Sequence, residues 1–256
     1  MEQSIKELPL RGVTPDINCN RFSTAGWESE SVAAPSEMRL TIYADDRELV
    51  TLPCTPARLT ELVFGALFFR GLIDDKRDVA GIDIDEGSWE AHVSLSKPGD
   101  MAGVPQGQKI DSNLKLIPAQ ILSMMRQLNE RAEIYNYCGG VHTSALGCGS
   151  ELVVVAEDIS RHSTIDKIMG QCLLEEIPTR DNVLLTTGRI SSETMWKALR
   201  MGVPIAVSRG SLTDCAISLA QDRGMTLVGY ARNSRLSVYA HQERLNGALD
   251  RGYINQ

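Results

Sequence analysis

No C-x-x-C pair occurs in the 256-residue sequence, and its six cysteines, at 19, 54, 138, 148, 172 and 215, lack the dense spacing of a secreted disulfide scaffold. Most read as small buried apolar residues. Long hydrophobic runs are also missing: nothing approaches the roughly 20 apolar residues of a membrane helix, and the polar start MEQSIKELPLRG lacks the basic flank and apolar core of a secretory signal. A soluble cytoplasmic protein that does not enter a membrane is the expectation. Positive charge is in deficit, with a formal net charge of -7. That argues against nucleic acid as a partner and leaves room only for a local basic pocket. There is no G-x-S-x-G elbow, no Walker or Rossmann glycine pattern, and no H-x-E with P-C-x-x-C signature of the zinc deaminases. Cys138, His142 and Cys148 lie close together but match no structural zinc spacing, so no metal is expected.

What is present is ordinary globular material, 43% hydrophobic and 23% charged, enough for one large domain or two small ones. Residues 1–35 mix Pro, Asn, Ser and Gly with little periodicity and read as an extended N-terminal arm. Residues 36–116 read as a smaller β-rich subdomain with a helix. MRLTIYADDRELVTLP alternates about a polar tetrad, as a β-hairpin does, and Thr55 with Pro56 should cap the helix ARLTELVFGALFFRGLI, mostly apolar on one face. VAGIDID and WEAHVSLS are two more strands. The Gly- and Pro-rich stretch 97–109 is a candidate boundary or lid, and a helix should run from Pro118 to Ala132. Residues 117–256 alternate strands (LVVVAE, NVLLTT, PIAVS, TLVGYA, LSVYA) with helical segments, which predicts an α/β or α+β domain built on a largely parallel sheet.

Loops rich in Gly, Arg, His and hydroxyl residues recur at strand ends: CGGVHTSALG, EDISRHSTIDK, TTGRISSE, VSRGSLTD and VGYARNSR. In an open α/β sheet such loops converge on one crevice, here one suited to an anion. TTGRISSE is the best phosphate cradle: Gly188 frees the backbone, Ser191 and Ser192 open a helix, and Arg189 adds a planar bidentate donor. The plainer reading is a pair of helix caps beside a surface arginine. Arg209, Arg232 and Arg235 repeat the theme, with Asn233 and Ser234 as a turn. In EDISRHSTIDK, Asp166 at i+4 could orient His162, or the segment could be an ordinary salt-bridged helix face. Gly139 and Gly140 ahead of His142 could admit a ligand to the backbone, or simply turn the chain into a helix.

Taken together, GGVHTSAL, EDISRHSTIDK, TTGRISSE with KALRMGVPIAVSR, LVGYARNSRLSVYAHQERL and the helix TELVFGALFFRGLI resemble the formate dehydrogenase accessory sulfurtransferase family, FdhD, from about Ser36 to Leu245. The resemblance implies a cytoplasmic, commonly dimeric maturation factor whose C-terminal domain is similar in fold to cytidine deaminases without their zinc. It would accept sulfur from a cysteine desulfurase and pass it to the molybdenum bis-molybdopterin guanine dinucleotide cofactor of formate dehydrogenase. The family's cofactor-binding stretch falls on Tyr230, Ala231, Arg232, Asn233, Ser234 and Arg235. His142, Arg161, His162, Gly188, Arg189 and Ser191 fall on other motif positions. Ser160 and Ser163 stand where the family usually has Gly and Asn, and Cys138 where it usually has Thr.

The family's C-x-x-C loop should precede the Pro118 helix, yet KPGDMAGVPQGQK contains no cysteine. Persulfide relay needs a thiolate that no hydroxyl replaces. Three readings follow. In the first, another cysteine carries sulfur, with Cys138 the best candidate because Gly139, Gly140 and His142 would make it accessible and activated. In the second, the protein binds or chaperones the cofactor without transferring sulfur. The third is an enzyme acting on a phosphorylated small molecule, with His142 or His162 as general acid or base.

Overall fold

The computed structural model describes residues 10–97 and 109–245. Most of the 97–109 segment, read above as a boundary or lid, lies outside the described residues.

Within the N-terminal segment read as an extended arm, residues 13–35 are paired strands, which the sequence did not signal. β1 (Val13–Ser23) and β2 (Gly26–Pro35) form a long antiparallel hairpin. Both of its faces are largely exposed, so it carries none of the apolar alternation by which a strand is recognised in sequence. Phe22 and Trp27 face each other near its tip, ring centroids 5.1 Å apart, and Val13 anchors its base against Ile134 and Val141.

A four-stranded sheet follows, in the order β4 (Arg47–Cys54), β3 (Met38–Ala44), β6 (Glu90–Leu95), β5 (Val79–Asp85). Asp45 and Asp46 turn the first hairpin with φ of 46° and 62°, the left-handed pair that a two-residue hairpin loop requires. The helix α1 (Leu59–Phe69) starts later than Thr55 and Pro56 predicted: Arg58 is its N-cap, in the left-handed region at φ 56°. Thr55 is fully buried and bonded to Asp158 and Lys167 instead. A single apolar face also understates α1, because nine of its eleven residues are buried. It lies in one apolar cluster that runs from Leu40, Ile42 and Val93 of the small sheet, through Leu62 and Leu67, to Ile165 and Ile168 of α4 (Arg161–Leu174). The same cluster reaches Leu146, Val154 and Leu184 of the large sheet.

The large sheet has the order β12 (Arg235–Ala240), β11 (Thr226–Arg232), β10 (Ile205–Ser208), β9 (Val183–Thr186), β7 (His142–Cys148), β8 (Glu151–Asp158). Only β9, β10 and β11 run parallel; β7, β8 and β12 are antiparallel to their neighbours. The sheet is therefore mixed, not largely parallel. The short links at Gly149-Ser150 and Asn233-Ser234 permit only hairpins, whereas α5 (Ser192–Met201) and α6 (Asp214–Arg223) serve as crossovers between parallel strands. The stretch read as a CGGVHTSALG loop supplies β7, an interior strand between β9 and β8. On the opposite face, α2 (Pro118–Glu130) packs Ile121, Met124 and Leu128 against Ala145, Leu185 and Val207. Helices thus cover both faces of the sheet, a mixed α/β architecture. Among the described residues, no helix is long and apolar enough to cross a membrane.

Candidate functional site

The carboxyl ends of β8, β9, β10 and β11 meet the amino end of β7 along one edge of the large sheet, so four of the strand-end loops converge there. The backbone zips them together. Thr187 donates its amide to Thr143 O (2.9 Å), Arg209 to Thr186 O (2.9 Å) and Tyr230 to Gly210 O (2.9 Å). Side chains add to this: Ser208 donates through Oγ to Gly188 O (2.7 Å), and Gly188 donates its amide to Thr186 Oγ1 (3.1 Å). At Gly188 a β-carbon would come within 3.0 Å of Arg161 Cβ and 3.5 Å of His142 Nδ1, so only a bare backbone lets those side chains close over the loop.

His142, Arg161, Gly188 and the start of α5 therefore form one corner. Ser191 is the N-cap of α5 but makes no capping hydrogen bond with its side chain. Arg189, Tyr230, Arg232, Asn233, Ser234 and Arg235 are exposed along the same edge. Asn233 and Ser234 form the expected turn, with φ of 50° and 62°. Ala231 is the exception in this stretch, because its side chain is buried in the core and only its backbone is available to a ligand. Arg209 bonds Asn129 Oδ1 at 3.2 Å.

Both histidines have depressed pKa values. Burial, followed by the neighbouring Arg161 charge, lowers His142. Burial also lowers His162, more than the facing Glu193 raises it. Both rings are thus neutral at physiological pH, able to accept as well as donate. Asp166 does not orient His162 as its i+4 spacing suggested. Its carboxylate is held by Lys197 Nζ at 2.6 Å, while His162 Nε2 lies 3.4 Å from Glu193 Oε2. His162 Nδ1 and Arg161 Nε are buried and have no hydrogen-bond partner among the described residues. Beside them a cavity of about 730 Å³ opens between α1, α4, α5 and the end of β4, lined by Phe69, Arg70, His162, Trp196, Lys197 and Arg200. Among the described residues, no group of three or more His, Cys, Asp or Glu side chains is arranged to hold a metal ion.

Cys138 ends a short helix, α3 (Glu133–Cys138), and packs against the cluster of Val13, Ile134 and Val141. Its thiol donates to Ile134 O at 3.5 Å. Burial and the Glu157 charge push its pKa up, the reverse of the activation that Gly139, Gly140 and His142 suggested. Iodoacetamide labelling of the native protein at neutral pH, resolved by peptide mass spectrometry, is expected to modify the two exposed cysteines, Cys148 and Cys215, well before Cys138. Equal or faster labelling of Cys138 would reveal an activated thiolate that these surroundings do not explain.

Sequence reasoning placed Thr55 at a helix cap and gave Lys197 no role; the contact of Lys197 with Asp166 on α4 carries no local signal, because the partners lie 31 residues apart.

The sequence profile of the FdhD/NarQ family matches residues 35–103 and 99–246. The sulfur carrier protein FdhD of Halalkalibacterium halodurans is 36% identical over 82% of this chain and 87% of its own length. Its counterpart in Bacillus licheniformis is 33% identical over 92% of this chain and 98% of its own. Among solved structures, one assigned to a formate dehydrogenase accessory protein from Desulfotalea psychrophila superimposes with a TM-score of 0.80 at 26% identity, covering 91% of this chain and 99% of that one. With the motif order, the fold and both profile segments in agreement, the chain belongs to the FdhD/NarQ family.

Proposed function

We propose that this protein serves formate dehydrogenase maturation by holding the molybdenum bis-molybdopterin guanine dinucleotide cofactor, as cargo, at the edge formed by His142, Arg161, Gly188, Arg189 and the Tyr230 to Arg235 turn. The observation that carries this reading is the convergence of four strand ends on one arginine-rich edge of an acidic protein. Phosphates suit backbone amides at a helix start and planar guanidinium donors. The neutral imidazoles add hydrogen bonds without further charge. The relatives' names as sulfur carriers, and the structural neighbour's as a formate dehydrogenase accessory protein, support the same process. A cytoplasmic homodimer that meets both a cysteine desulfurase and formate dehydrogenase completes the proposal.

Sulfur transfer divides the reading in two. In one form, a thiolate of this chain takes the terminal sulfur of the desulfurase persulfide and delivers it to the cofactor. In the other, the protein binds the cofactor and transfers no sulfur. The absence of cysteine from 97–109 and the raised pKa of Cys138 favour the second.

Two measurements test this. GDP, as a probe for the dinucleotide arms, should bind in calorimetry, and Arg232→Ala combined with Arg235→Ala should weaken it at least about tenfold, since charged hydrogen bonds contribute about 1.5–3 kcal/mol each. Unchanged affinity in that variant would overturn the assigned edge. Incubation with an active cysteine desulfurase and cysteine, followed by mass spectrometry, should find no added sulfur; a persulfide on one cysteine would restore the relay.

A further inference from the structure

The buried Asp158 and Lys167 lie outside the contacts assigned above. Both side chains are fully buried, with Lys167 Nζ 2.6 Å from Asp158 Oδ2. Every strong group around them is used. Asp158 Oδ2 accepts from the Thr55 amide at 3.1 Å and from the Thr55 hydroxyl at 3.2 Å, and Oδ1 accepts from the Ser160 amide at 2.8 Å. Lys167 also donates to Thr55 Oγ1 at 2.8 Å and to Glu157 O at 3.2 Å.

Such a pair is a poor device for stability alone, because well-packed apolar residues of similar volume usually do as well or better once desolvation is counted. Its attachments suggest another use. Asp158 is the last residue of β8 and stands opposite His142 in the β7 and β8 register. Through Ser160 it sets the turn that delivers Arg161 and His162, and Ser160 in turn caps α4 by accepting from the Ser163 amide at 3.4 Å. Thr55 immediately follows β4 of the small sheet. One three-residue knot therefore joins the small sheet, the end of β8 and α4, whose first turn carries Arg161 and His162, while His142 stands across from Asp158 on β7.

We propose that Asp158, Lys167 and Thr55 are positioning residues that set the geometry of the His142, Arg161 and His162 corner through the end of β4. This rests on the reading of that edge as a binding site. Without the knot, the fold survives on its apolar cluster, but the corner loses its single arrangement.

The test is the matched neutral pair Asp158→Asn with Lys167→Met, and separately Thr55→Val, which keeps the ion pair but removes the hydroxyl that both charged groups touch. The chain has four histidines, so their ring C–H signals can be resolved by NMR. The double variant should unfold at a temperature no lower than wild type. Its His142 and His162 signals should shift or broaden and change titration midpoint, while the His92 and His241 signals keep their wild-type positions. GDP affinity should fall at least tenfold. Thr55→Val should give the same changes at smaller amplitude. Unchanged His142 and His162 titrations in a folded variant would overturn the proposal and leave the pair a structural plug. If GDP fails to bind even wild type, the assigned ligand is wrong, and the histidine titrations still decide whether the knot sets the corner. If the double variant does not fold, Thr55→Val decides by the same readouts.

Discussion

Replacing Gly170 with alanine is expected to destabilise the protein by about 3 kcal/mol or more, at the upper end of what overpacking a core costs. Helix propensity predicts the opposite sign, since alanine in a helix interior is favoured over glycine by about 1 kcal/mol. The crossing of α1 and α4 decides between them. A β-carbon on Gly170 would lie 1.8 Å from the backbone oxygen of Glu61, and one on Gly65 would lie 1.9 Å from the backbone oxygen of Asp166. The clash is with the partner helix's backbone, so no side-chain rotation relieves it and the helices must separate. That would loosen the apolar cluster shared by both sheets. For a chain of this size, a loss of about 3 kcal/mol lowers the melting temperature by roughly 6–12 °C. Thermal unfolding of Gly170→Ala and Gly65→Ala would measure it; a melting temperature at or above wild type for either would mean that the helices do not cross this closely.

Lys167→Met alone is expected to cost about 3–5 kcal/mol, because it leaves the Asp158 carboxylate buried without its cation. The cost should depend on pH, and its sign follows from the proton balance. Burial already raises the Asp158 pKa against the lowering effect of Lys167, so removing Lys167 raises it further. A carboxyl whose native pKa exceeds its unfolded value binds more protons when folded, and its contribution to stability falls as pH rises from the unfolded to the native value. The gap between wild type and Lys167→Met should therefore be widest at neutral and alkaline pH and narrow on acidification towards the ordinary carboxylate range near 3.9. Urea unfolding at a series of pH values would check this. A gap independent of pH would place the loss in packing alone. Adding Asp158→Asn should restore wild-type stability at pH 7, since the uncompensated charge is then gone.

The contrast between local and distant control runs through the whole molecule. VAGIDID is the strand β5 as read, and TDCAISLAQDRG is α6 with Thr213 as its cap, accepting from the Ala216 amide at 3.3 Å, and Gly224 just past its end at φ 73°. In these elements the periodicity and the caps lie within a few residues of one another. The β1 and β2 hairpin escaped notice because most of β1 faces solvent and β2 is no more than half-buried, so neither strand alternates apolar with polar residues. The β7 strand escaped because it begins His-Thr-Ser, one residue after a pair of glycines, a polar start for an interior strand. Its polarity is satisfied across neighbours, with Ser144 Oγ 2.7 Å from Thr164 Oγ1 and donating to Thr186 Oγ1 at 2.9 Å. No window of sequence contains both partners.

The same distinction governs the site. The sequence alone determined the alternating strands and helices of the C-terminal half, the arginine- and glycine-bearing loops at strand ends, and the lack of a cysteine pair before the Pro118 helix, since each is a matter of residue identity and short-range spacing. Tertiary structure decided the rest. It sent Thr55 to Asp158 rather than to the cap of α1, gave Asp166 to Lys197 rather than to His162, and raised the Cys138 thiol that its neighbours in sequence seemed suited to activate. Each outcome depends on burial and on partners tens of residues away, and desolvation together with a buried charge outweighs any preference that four residues of spacing can express.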